Sequence, residues 1–235
     1  MILHKLIKHH LKFGPDALFY KMQSDDAISW MRNQSVEISE RTKILDLGCG
    51  TGVFGKSLFD AGSDVVFSDY NNWLIDELQD CDFRQIDIDN EDLARLGQYD
   101  LVVCSNVLEH LKNPKKLISE IDRVLVDGGV CYLSWTNWLS PWGGHDFSPF
   151  HYLGPKLGTW LFDKLVGKKR LLNPYENLYP TFIGNTLRDI KRIEGLKIEA
   201  VVPRYYTEFA FLMKIPILRE YFAWNCAILI RKIGN

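Results

Sequence analysis

The chain has no surplus of positive charge: 28 lysines and arginines face 30 aspartates and glutamates, a net charge of −2. A protein built to neutralise a phosphate backbone needs a strong basic excess, so nucleic acid is not an expected partner. Cysteine pairs are missing too. The cysteines at 49, 81, 104, 131 and 226 include no C-x-x-C, and most lie in or beside apolar strand-like runs. They read as small buried hydrophobes of a reducing compartment, and neither a disulfide frame nor any metal site is expected. Long apolar runs are also absent. The most apolar stretch, Tyr221 to Ile230, has about ten residues, where a membrane-crossing helix needs about 20. The N-terminal apolar run holds Lys5 and Lys8 and leads to no small-residue cleavage site, unlike a signal peptide. A cytoplasmic location is therefore the expectation. There is no internal repeat and no low-complexity tract. What remains, 46% hydrophobic and 25% charged over 235 residues, is ordinary globular material long enough for a sizeable core.

Within it, one stretch organises the rest: Ile44-Leu45-Asp46-Leu47-Gly48-Cys49-Gly50-Thr51-Gly52. An apolar run with a carboxylate near its end turns through three alternating glycines. A helical pattern of Val53, Phe54, Ser57 and Leu58 follows and ends at Gly62. Strand, glycine turn and helix together bring backbone close to a ligand and aim helix N–H groups at it. Asp46 sits where the strand opens into the turn and is expected to face that ligand. A carboxylate there would repel a phosphate and welcome an ammonium or a pair of hydroxyls.

The D-x-G-x-G-x-G pattern at Asp46 to Gly52 resembles the first motif of the class I S-adenosylmethionine (SAM)-dependent methyltransferases, of the type 11-like kind. The resemblance continues in order through Asp69, Asp87, Ser105-Asn106-Val107-Leu108-Glu109-His110, Arg123-Val124-Leu125 and Gly128-Gly129. It covers about residues 40 to 136. It implies SAM as cofactor, with Asp46, Gly48, Gly50, Gly52, Asp69, Tyr70, Asp87, Ile88, Ser105 and Asn106 as the residues that bind it. Asp69 would take the ribose diol and Asp87 the adenine amine. The rival is an NAD-dependent oxidoreductase, because Gly50 to Gly55 formally matches G-x-G-x-x-G and a carboxylate on a diol serves NAD equally. Asp46 beside a pyrophosphate and the position of Asp87 weigh against it. A SAM-binding module without catalysis, its cap holding a partner protein, is the alternative of another class.

Along the chain, residues 2 to 12 place Ile2, Leu3, Leu6, Ile7 and Leu11 on one helical face and Lys5, Lys8, His9 and Lys12 on the other. That face either packs on the domain or lies peripherally on the inner side of an anionic membrane. A second helix is expected from Asp16 to Arg32. Strands follow at Val65–Ser68, Phe83–Ile86, Leu101–Cys104 and Val130–Trp135. Helices are expected over Asn72–Leu78 and from Asn113-Pro114 to a stop at Gly128-Gly129. A last helix around Ile183–Ile193, then strands Leu196–Val202 and Trp224–Arg231, complete the pattern. The alternation predicts an α/β, doubly wound, seven-stranded mostly parallel sheet. The resemblance implies an antiparallel seventh strand between the fifth and sixth. The expected division of this single domain is N-terminal helices at 1–39, a SAM-binding core at 40–136, a cap at 137–181, and a C-terminal part at 182–235. The cap is expected because a structureless loop of that length is unusual.

The cap carries the candidate chemistry. Methyl transfer is one displacement for which positioning supplies much of the catalysis, but an oxygen acceptor gains from a general base. His145, after Gly143-Gly144, is the first candidate, with Asp146 to orient it and His151 in reserve. Glu109 and His110 follow the fourth strand, whose end lies beside the methyl donor in the family, and read as packing or surface groups ahead of a functional role. Trp135, Trp138, Trp142, Phe147, Phe150 and Tyr152 suit sugar stacking as well as plain packing, and Lys168-Lys169-Arg170 is a solvated face or an anion patch. With the apolar stretch 209–218, these features point to an oxygen of a sugar, a lipid-linked glycan or a small metabolite as acceptor.

Overall fold

Along Lys43–Leu47 (β1), Ile44 packs into one apolar cluster while Leu45 and Leu47 pack into another, and all three are fully buried. A strand with two apolar faces must be covered on both, which antiparallel hairpins seldom achieve and crossover helices do. The computed structural model describes residues 2–167 and 172–234, so Lys168-Lys169-Arg170 lies outside the described residues. Its strands are β1, Asp64–Asp69 (β2), Phe83–Gln85 (β3), Tyr99–Ser105 (β4), Leu125–Thr136 (β5), Leu196–Pro203 (β6) and Asn225–Lys232 (β7). They form one sheet in the order β3-β2-β1-β4-β5-β7-β6, with only β7 antiparallel, wedged between β5 and β6. The doubly wound, mostly parallel sheet is as expected.

Helices Ala17–Asn33 (α2) and Val53–Phe59 (α3) cover one face through Ala27, Ile28, Met31 and Leu58. Pro114–Glu120 (α4) and Ile183–Ile190 (α6) cover the other through Leu117, Ile118, Ile183 and Ile190. Asp16 caps α2 by accepting the Phe19 N–H at 2.8 Å, and Pro114 opens α4. The N-terminal helix Leu3–Phe13 (α1) buries only Leu6 and leans on Tyr205 and Tyr206. Two helices depart from the sequence pattern, each for a local reason. Helical structure ends at Val124, so Gly128-Gly129 does not stop a helix. The pair lies in β5, in a bulge between the pairings Tyr99–Leu125 and Leu101–Val130. Gly128 has φ +78°, and a Cβ on Gly129 would meet the Val126 carbonyl at 2.8 Å. The helix expected at Asn72–Leu78 shrinks to one turn at Asp76–Leu78, because the Asn72 side chain takes the Leu74 N–H locally.

Residues between β5 and α6 form a cap with a helix, Gly154–Leu165 (α5), on its own aromatic nucleus. The Phe147 and Phe150 rings each lie 5.6 Å from Phe162. The stretch after β6 adds a short helical run at Thr207–Lys214 and the helix Pro216–Phe222 (α7). The two insertions interlock. Asn137 N–H bonds to the Trp224 carbonyl at 3.0 Å, and Glu220 accepts the Ile183 and Gly184 N–H groups at 3.1 and 2.7 Å. Glu220 thus caps α6 from another segment, where a carboxylate suits the positive helix end.

Met31 is wholly buried in the cluster that joins α2 to the sheet. Met31→Ala should lower the unfolding free energy by about 2–5 kcal/mol, read from urea denaturation followed by circular dichroism. A loss below about 0.5 kcal/mol would mean that α2 is not part of the cooperative fold.

Candidate functional site

The carboxyl ends of β1, β2 and β4 meet where the sheet order reverses, and that is where the glycine turn opens. Gly48, Gly50 and Gly52 all have positive φ, at +73°, +53° and +81°. Such a chain of left-handed residues is open to glycine at no steric cost. Each glycine has its own reason to lack a side chain. A Cβ on Gly48 would meet Val107 at 2.3 Å, and one on Gly52 would meet Leu74 and Leu78 at 2.6 Å. Gly50 has nothing within 4 Å of its Cβ position, so its backbone borders open space.

Asp69 closes the turn from β2. One of its oxygens accepts the Gly50 N–H at 2.8 Å and the other the Tyr70 N–H at 2.7 Å. A carboxylate has about four lone-pair sites, so one on each oxygen is left for a vicinal diol. Asp46 is placed otherwise than the sequence suggested. It is 2% exposed, and its Oδ2 accepts the Gly55 N–H at 2.8 Å in the first turn of α3. It braces the turn from beneath. Burial, countered by the Gly55 hydrogen bond and reinforced by the Asp69 charge, pushes its pKa up to about 7. Beyond β2 and β3 a depression is lined by Tyr70, Gln85, Asp87, Glu91 and Arg95. The Asp87 carboxylate already accepts from the Asp89 N–H (3.0 Å), the Asn90 N–H (3.2 Å) and the Asn90 side chain (2.8 Å), so it also shapes its own loop. Ile88 is buried beside it.

At the end of β4, Ser105 Oγ receives a hydrogen bond from Ser134 at 3.2 Å. Asn106 takes a left-handed φ of +57° and accepts from Arg204 Nη1 at 3.1 Å. The Arg204 side chain lies over the rings of Tyr132 and Tyr205, buried, with Nε and Nη2 lacking a protein partner. Arg204 was not singled out by the sequence: no motif marks it, and apart from its neighbour Tyr205 its partners, Asn106 and Tyr132, are far away in the chain.

The cap brings His145 to Glu109 and His110, which follow β4, with a correction. The carboxylate facing His145 is Glu109, whose Oε1 lies 3.9 Å from Nε2, while Asp146 is exposed. His145 has a left-handed φ of +50°, and its Nε2 is buried. Burial depresses the His145 pKa, against the opposing pull of Glu109. Glu109 is neither a surface group nor plain packing. Its Oε1 accepts the Thr136 N–H at 2.9 Å and its backbone carbonyl accepts from Tyr179 N–H at 2.7 Å. His110 Nδ1 meets the Asn177 carbonyl at 2.8 Å. His151, the reserve base, is instead buried edge-on to Trp138, its pKa lowered by that burial. Nor do Gly143-Gly144 give freedom of movement. A Cβ on Gly143 would strike the Trp138 carbonyl, and one on Gly144 the His151 ring at 2.7 Å. Of the aromatics offered for sugar stacking, Trp135, Trp138 and Phe147 are core, whereas Trp142 and Tyr152 are exposed. Trp142 stacks on Trp224 at 5.9 Å.

The comparisons agree with this architecture. A family model described as a methyltransferase domain matches residues 20–201. A protein of Mycobacteroides abscessus described as an uncharacterised methyltransferase is 28% identical over 227 residues, covering 91% of this chain and 86% of its own. Among solved structures, a SAM-dependent methyltransferase from Mesorhizobium loti has a TM-score of 0.57 at 20% identity, covering 89% of this chain and 100% of that one. Another from Clostridium acetobutylicum has a TM-score of 0.59 at 14% identity with 100% coverage of both. At these identities the structures speak for the fold alone, and the domain match speaks for the family.

The raised pKa of Asp46 has a consequence for stability. The folded chain keeps this proton up to about pH 7, whereas an unfolded aspartate releases it near 4. The folded state therefore binds more protons in that window, and the contribution is full below about pH 4 and lost as pH rises through 7. Asp46→Asn keeps an acceptor for Gly55 without the charge. Without ligand, its melting temperature should gain on the wild type progressively from pH 5 to pH 8. A gap that stays constant with pH would place the titration elsewhere.

Proposed function

The chain belongs to the methyltransferase family whose domain it matches over residues 20–201, and on that premise we propose how SAM is held and what receives its methyl group. SAM supplies a methyl group on a positively charged sulfur, which a nucleophile lined up behind it displaces in one step. The carboxylate of Asp69 takes the ribose diol with the lone pairs that Gly50 and Tyr70 leave over. Gly48, Gly50 and Gly52 let the methionine end approach the backbone, Asp46 fixes their turn, and Ser105 and Asn106 border the donor at the end of β4. Tyr70, Ile88 and the Asp87 loop flank the adenine. The observation that carries this reading is the Asp69–Gly50 hydrogen bond across the reversal of sheet order. It sets a charged diol acceptor against backbone that no side chain obstructs.

The acceptor we propose is a hydroxyl on a membrane-carried amphiphile, such as a sugar of a lipid-linked glycan. Support comes from the side chains that the insertions leave uncovered. Leu11 is 79% exposed and Ile217 73%, with Phe13, Trp160, Phe211 and Phe222 also more than half exposed. The helix α1 adds Lys5, Lys8 and Lys12 and is tied to the second insertion through the Leu3 N–H and the Tyr205 carbonyl. No helix among the described residues is long and apolar enough to cross a bilayer, so contact would be peripheral and dependent on anionic lipid. The exposed Trp142 and the unpartnered donors of Arg204 suit an oxygen-rich acceptor.

Two measurements test these assignments. Calorimetry should show SAM binding to the wild type and at least tenfold weaker binding to Asp69→Ala, since each charge-assisted hydrogen bond is worth about 1.5–3 kcal/mol. Binding of NAD in place of SAM would end the donor assignment. Sedimentation with phosphatidylglycerol-containing vesicles at low salt should carry down the wild type but far less of Leu11→Ser/Ile217→Ser. If the wild type stays in the supernatant, the acceptor is not presented by a bilayer.

A further inference from the structure

Three side chains from two parts of the fold converge beside the acceptor side of the cleft. Glu109 and His110 follow the end of β4, and His145 comes from the cap. One donor atom from each lies within 4.8 Å of those of the other two. Glu109 is 1% exposed, and while its Oε1 is satisfied by Thr136, its Oε2 has no partner. Among the described residues no lysine or arginine pairs with it; its recorded ion-pair neighbour is His145. A buried carboxylate oxygen without a donor or cation is costly, and such atoms call for an explanation. The buried Nε2 of His145 also lacks a partner. At His110, Nδ1 meets a backbone carbonyl, which can only accept. That nitrogen must carry the proton, and Nε2 keeps its lone pair. An imidazole whose far N–H is anchored to a carbonyl is the arrangement that orients a metal-binding histidine.

We propose that Glu109, His110 and His145 bind a divalent transition-metal ion, and that this ion holds the oxygen to be methylated. Two imidazoles and one carboxylate favour zinc, iron, cobalt or manganese over calcium, and three protein ligands leave coordination positions open for the acceptor. Bonds of about 2.0–2.2 Å would draw the three donors together by roughly an ångström. The role in catalysis rests on the methyltransferase reading given above. The acceptor hydroxyl coordinates, releases its proton to water, and attacks the methyl carbon. The C–O bond forms as the C–S bond breaks, and the sulfur takes the electron pair as a neutral thioether. A metal lowers the pKa of a bound oxygen acid, so His145 acts as a ligand and the reaction needs no histidine base.

The full chain, stripped with a chelator and titrated with cobalt(II), tests this directly. One equivalent should bind, with visible ligand-field absorption. His145→Ala and His110→Ala should each bind at least tenfold more weakly, and so should Glu109→Gln, which keeps an acceptor for the Thr136 N–H. Calorimetry with SAM on the same preparations should give wild-type affinity, showing that the variants are folded. Failure of the wild type to bind cobalt(II) or zinc(II) stoichiometrically, or equal binding by all three variants, would overturn the proposal. Loss of SAM binding by the wild type would instead defeat the methyltransferase reading and leave the metal result standing on its own.

Discussion

A carboxylate with no access to water and one backbone N–H to answer it, Asp46 joins the end of the central strand to the first turn of the following helix. The glycine turn between them has three left-handed residues and little intrinsic stiffness. Without a fixed point at each end it would sample many shapes. The Asp46–Gly55 bond fixes it from below and the Asp69–Gly50 bond from the side. Space around Gly55 is correspondingly tight, since a Cβ there would meet Asp46 at 2.7 Å and Phe67 at 2.4 Å. The turn is therefore held at two points by carboxylates from two strands.

The cap side of the cleft is made differently. Its parts come from the end of β4, the cap and the stretch after β6, and long-range contacts hold them together. Glu109 shows how closely they depend on one another. It anchors the start of the cap through Thr136, its carbonyl receives Tyr179 near the cap's end, and its carboxylate faces His145 in between. One buried residue, through its carboxylate and its backbone carbonyl, touches three points along the insertion.

That contrast explains what was legible in the sequence. The sheet, the glycine turn and Asp69 depend on local order and periodicity, which a single chain displays. The partner of His145 does not. Asp146 is adjacent in sequence, but the ring turns away from solvent toward Glu109, a residue before β5 begins. Gly143-Gly144 looked like freedom because glycine allows it, whereas the Trp138 carbonyl and the His151 ring leave room for nothing larger. Arg204 carries no motif at all. For His145 and Arg204 the deciding neighbours, Glu109, Asn106 and Tyr132, are distant along the chain, and at Gly143-Gly144 they lie within the same loop, whose path neither spacing nor composition announces.

Glu220 has one more implication. It stands on α7, yet it terminates the free N–H groups at the start of α6, the element on which the cap ends. Asn137 and Trp142 of the cap likewise reach Trp224. The two insertions are thus a single structural part encoded in two places. Transplanting one of them into a related scaffold would leave α6 uncapped and Trp224 bare. A change in either segment is therefore also a change in the packing of the other, while the glycine turn and Asp69 make none of these contacts.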